Sequence, residues 1–92
     1  MPLQLYANRL DPCLTAVLTN LLSYAKDAGE SYMNNKDSVG LVTSTYANDQ
    51  RRAFAHYYSL VLPLLDCVRL TSLSEELQSL YDGVMTLKEV IL

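Results

Sequence analysis

Apolar residues recur at helical spacing along most of the chain. Leu14, Val17, Leu18, Leu21, Leu22, Ala25 and Ala28 fall on one side of a period of about 3.6 residues, with Thr15, Thr19, Asn20, Ser23, Lys26 and Asp27 opposite them. Asp11-Pro12 precedes this stripe, and an N-cap Asp followed by Pro at the first helical position is a helix start. The pattern therefore predicts a helix from Pro12 that stops at Gly29 or carries on through Tyr32 and Met33, before the turn signal Asn34-Asn35-Lys36-Asp37. A second stripe runs Val42, Tyr46, Ala53, Phe54, Tyr57, Val61, Leu64, Leu65 and Val68. Asn48-Asp49 weakens it and Pro63 removes a backbone donor, so two helices over 38–47 and 50–69 are expected, with one long bent helix as the alternative. The last stripe, Leu73, Leu77, Leu80, Val84, Leu87 and Ile91, follows a capping-box spacing at Ser72 and Glu75. Gly83 interrupts it, at a cost of about 1 kcal/mol relative to alanine, and would suit close helix packing.

No segment alternates as a strand would, no repeat recurs, and no linker divides the chain. The expectation is an all-α fold: a small antiparallel three- to four-helix bundle, with residues 1–92 as one domain.

Composition adds one constraint. Half of the residues are hydrophobic and only 18% are charged, against a usual share of about a quarter. A 92-residue chain has a modest interior, so the surplus predicts apolar surface, and such patches mark association sites. Met85 and Val90, off the last stripe, add to it. The net charge of −3, with scattered basic residues, disfavours general nucleic-acid binding. Residues 1–10 lack the pattern of a signal peptide, and the apolar run from Leu60 to Leu65 is too short to span a bilayer. A cytoplasmic protein is expected, with Cys13 and Cys67 as reduced, buried thiols. The two cysteines and one histidine match no zinc spacing, and three glycines build no phosphate loop, so neither metal nor cofactor is expected. Glu75-Glu76 diverge on a helix and read as a solvated first turn.

Candidate chemistry is concentrated in Arg51-Arg52-Ala53-Phe54-Ala55-His56-Tyr57-Tyr58. An arginine can hold phosphate through paired hydrogen bonds, and a histidine moves protons near neutral pH. Arg51, His56 and Tyr58 have the spacing of a motif in HEPN-type ribonucleases, which this segment resembles. The resemblance covers about one-tenth of the chain and implies an all-helical, metal-independent nuclease with its site in a dimer cleft. It assigns Arg51 to phosphate, His56 to proton transfer and Tyr58 to a phenol at the cleft. Arg52 stands where that family often carries a small polar residue. In a regular helix Arg51 and His56 lie about 140° apart around the axis, whereas Arg52 and His56 share an edge. A solvated helix edge with Arg51 along Tyr58 is the plain alternative.

Seven tyrosines, with one phenylalanine and no tryptophan, point to an interaction role. Tyr24, Tyr58 and Tyr81 edge their apolar stripes, where a ring gives contact area and the hydroxyl stays wet. The first functional expectation is a small non-enzymatic interaction module (regulator, inhibitor, immunity or chaperone type). It would dock onto a protein partner or a second copy through Tyr24, Tyr58, Tyr81, Met85 and Val90. The second is a HEPN-like ribonuclease acting on RNA as a dimer through Arg51, His56 and Tyr58.

Overall fold

A computed structural model of the chain describes residues 12–37, 40–65 and 74–92. Among them are three helices and no strand: α1 (Pro12–Asn35), α2 (Leu41–Leu65) and α3 (Glu75–Ile91). Pro12 is the first helical residue of α1, as its fixed φ and missing N–H favour; Asp11 lies outside the described residues.

Helix α1 does not stop at Gly29. That residue is buried, and Tyr32 and Met33 beyond it pack against the core, so the apolar stripe carries the helix six residues further. The end is closed by Asn35 Nδ2 donating to the Ser31 carbonyl at 2.7 Å and by the Lys36 amide donating to the Tyr32 carbonyl at 2.8 Å. Gly40 then takes φ 129°, a conformation open to glycine, and its carbonyl accepts from the Ser44 amide at the start of α2.

Helix α2 corrects the expected pair of helices, 38–47 and 50–69, to the single-helix alternative. It passes through Asn48-Asp49 without a break because both side chains are exposed, while Ala47 and Phe54 on either side are buried. Burial of the flanking turns outweighs the weak helix preference of two solvated residues. Helix α2 also continues two residues past Pro63. Val42, expected in the stripe, is 83% exposed, because α2 starts beyond the reach of the other helices. Val68, Leu73 and Cys67 lie outside the described residues, and Cys13 is exposed rather than buried.

Helix α3 begins at Glu75 with Ser74 as N-cap. Its hydroxyl accepts from the Leu77 amide at 3.2 Å, and Glu75 and Glu76 fill the positive first turn. Of the expected Ser72–Glu75 capping-box spacing, Ser72 lies outside the described residues, and Glu75 is the first helical residue of α3.

Helix α1 packs against both α2 and α3 and shares its larger interface with α2. The core joins Leu18, Leu22, Ala25 and Ala28 of α1 to Phe54 and Val61 of α2 and Leu77, Val84 and Ile91 of α3. Buried positions recur every seven residues in α2 (Ala47, Phe54, Val61) and in α3 (Leu77, Val84, Ile91). A seven-residue seam stays on one side of a helix only when helices coil around each other slightly.

The close approach expected at Gly83 is found at Gly29 instead. A Cβ on Gly29 would stand 2.9 Å from both Leu87 Cδ1 and Phe54 Cδ2, so this is where side chains of α2 and α3 converge on α1. Among the described residues, a Cβ on Gly83 would meet the Lys26 side chain, at 3.6 Å, and no backbone atom of another helix within 4 Å.

Candidate interaction surface

No polar or charged side chain is buried among the described residues, so the interior offers no chemistry. No group of three His, Cys, Asp or Glu side chains among them could hold a metal ion. No helix among them is long and apolar enough to cross a membrane.

The octapeptide around His56 sits in the middle of α2, since the helix starts at Leu41. Arg51, Arg52 and His56 are all exposed. At about 100° per residue, Arg51 and His56 diverge by about 140° and do not face a common point within one copy. His56 lies against its neighbour Tyr57, with ring centroids 5.6 Å apart. Tyr58 turns inward instead: its ring stacks on Phe54 at 6.1 Å with 11° between planes, and it packs on the core.

The expected contact residues separate into two groups. Tyr24 and Val90 are exposed, at 52% and 60%. Tyr58, Tyr81 and Met85 are half-buried and packed against the core, which spends most of their apolar area inside the fold. Met85 reaches the core because the side of α3 packed inward is wider than the expected stripe and takes in Tyr81 and Met85 beside Leu80 and Leu87.

Between α1 and α2 lies an open groove of about 370 Å³, lined from α1 by Tyr24, Asp27, Ala28 and Ser31 and from α2 by Tyr46, Gln50, Ala53 and Tyr57. Tyr24 and Tyr57 meet at one end, with centroids 5.5 Å apart and planes tilted by 42°. At the other end Ser31 Oγ donates to the Tyr46 hydroxyl at 3.0 Å. Ala28 and Ala53 leave the groove open between these ends, because a methyl group is too small to fill it. Asp27 is the one charged residue of the lining; it is exposed and pairs with no cation among the described residues.

The groove continues into a larger apolar face. Val17, Tyr24 and Ser31 recur every seven residues on α1, and Tyr46, Ala53 and Leu60 do so on α2. Such spacing keeps each trio on one side of its helix. Val17, Tyr24, Tyr46 and Leu60 are each between 43% and 52% exposed, although all are large apolar or aromatic groups. The sequence reading found Tyr24 here and missed Val17, Tyr46, Tyr57 and Leu60. The signal was present as a second seven-residue row beside the core row, but a second row becomes a surface only once the partner helix is placed next to it. Compared with known protein families, curated proteins and solved structures, the chain matches none of them.

Proposed function

We propose that the chain is a small antiparallel three-helix bundle that works in the cytoplasm as a protein-interaction module of the regulator, inhibitor, immunity or chaperone type. It docks the outer face of the α1–α2 pair onto another protein chain. The observation that carries this reading is the half-exposed row Val17, Tyr24, Tyr46 and Leu60, which flanks a groove with no side chain of its own to fill it. Such a row costs solubility in an isolated domain and gains stabilisation when covered, at about 25 cal/mol per Å² of apolar area removed from water. Residue pairings support the antiparallel arrangement. Tyr24 lies beside Tyr57 while Ser31 bonds Tyr46, so numbers rise along α1 as they fall along α2. Lys26 near Gly83 and Gly29 near Leu87 rise together, as the first and third helices of an up-down-up bundle would.

The test combines sedimentation velocity with affinity purification from the native host, comparing wild type with a Tyr24→Ser/Leu60→Ser double variant. Both residues are half-exposed, so the variant keeps its helical circular dichroism and loses the complex, whether that complex holds a partner or a second copy. A wild-type monomer with no complex sensitive to these substitutions refutes the reading.

A further inference from the structure

We infer that the groove between α1 and α2 takes the Arg52 side chain of a second copy, so that the face closes as a two-fold dimer with reciprocal Arg52–Asp27 contacts. The inference rests on the interaction reading of this face and names its occupant.

Three observations lead to it. The first is charge: Asp27 is exposed in the groove lining, and Arg52 is exposed on α2, with neither in an ion pair among the described residues. The groove also offers what a guanidinium binds, namely the phenol faces of Tyr24 and Tyr57, a carboxylate and the Gln50 amide oxygen. Within one copy Arg52 does not reach these groups, as it is not among the residues of the lining.

The second is position along the bundle. Asp27 adjoins Ala28 of α1, and Arg52 adjoins Ala53 of α2, and these alanines line the same stretch of groove. A two-fold axis parallel to the helices and lying in the interface keeps height and sets α1 of one copy over α2 of the other. A group on α1 and a group on α2 at one height then meet across the interface, and both contacts form at once. Asp27 and Arg52, both beside the Ala28–Ala53 level, satisfy this condition. Arg51 lies on the opposite edge of α2, about 100° away from Arg52, and does not.

The third is area. Helices of 24 and 25 residues are about 36 Å long at 1.5 Å per residue and about 20 Å wide side by side, which gives a face of about 700 Å². Two copies bury about 1,400 Å² in total, within the usual range of specific interfaces.

Sedimentation equilibrium of the full chain tests the proposal, with wild type, Asp27→Arg, Arg52→Asp, the double charge swap, and Arg51→Asp as control. Wild type is expected to dimerise. Each single swap at Asp27 or Arg52 weakens the dimer at least tenfold, because it places like charges opposite each other at two symmetry-related contacts. The double swap restores association, and Arg51→Asp leaves it within about twofold of wild type. All three substituted sites are exposed, so circular dichroism keeps the variants comparable. A monomeric wild type overturns the dimer. A dimer that is insensitive to both single swaps, yet lost in Tyr24→Ser/Leu60→Ser, overturns the Arg52–Asp27 contact while the apolar docking face stands. A dimer weakened equally by Arg51→Asp also overturns it, since bulk charge would then explain the loss.

Discussion

Alanine at Gly29 and alanine at Gly83 should move stability in opposite directions. Both glycines lie inside helices, so the intrinsic gain from replacing either one is about the same, roughly 1 kcal/mol from backbone entropy and helix propensity. The difference is what each new Cβ meets. At Gly83 it would rest 3.6 Å from Lys26 Cε and 3.8 Å from Cδ, ordinary contacts with a flexible, half-exposed chain. At Gly29 it would stand 2.9 Å from Leu87 Cδ1, 2.9 Å from Phe54 Cδ2 and 3.2 Å from Phe54 Cε2. The leucine methyl can rotate away, but the Phe54 ring is fully buried and stacked against Tyr58, so it yields only by displacing its neighbours. Overpacking of this kind costs about 1–3 kcal/mol, which exceeds the propensity gain at the middle of its range. Gly83→Ala is thus expected to raise the melting temperature by about 4–8 °C, and Gly29→Ala to lower it by a similar amount. Thermal unfolding followed by circular dichroism at 222 nm reads both shifts. Equal rises in the two variants would refute the reasoning, because they would mean that no helix closes on Gly29.

Phe54→Ala removes the largest fully buried side chain, at the junction of all three helices, and should cost about 3–5 kcal/mol in urea unfolding. Ser74→Ala deletes the acceptor of the Leu77 amide and should destabilise by about 1 kcal/mol, with Ser74→Asp close to wild type; equal loss in both would remove the capping role. Val42→Ser, at a residue 83% exposed, should change stability by less than about 0.5 kcal/mol, and a larger loss would place it in the core. Single-stranded RNA incubated with the protein and a chelator should remain intact, because Arg51 and His56 diverge on an unbroken helix. Cleavage that disappears in a folded His56→Ala variant would reverse that conclusion.

Local order was already legible in the amino-acid pattern. Apolar spacing depends only on how far each residue turns around its own helix, so the stripes of α1 and α3, the start at Pro12 and the all-helical class follow without knowledge of any neighbour. The divergence of Arg51 and His56 follows from the same turn angle. What depends on a second helix was not legible. The capping-box spacing pointed to Ser72, whereas the residue that caps α3 is Ser74. The sequence pointed to Gly83 for a close neighbour, and the placement of Phe54 and Leu87 puts that approach at Gly29. Asn48-Asp49 could break a helix, and the burial of Ala47 and Phe54 around it keeps α2 whole. Tyr24 and Tyr58 look alike as stripe-edge tyrosines, yet one faces the open groove and the other stacks on Phe54. The sequence alone determined which residues share a face of each helix, since that is set by bonded geometry. Only the tertiary structure decided which faces are covered, because covering one is a property of two helices and their separation.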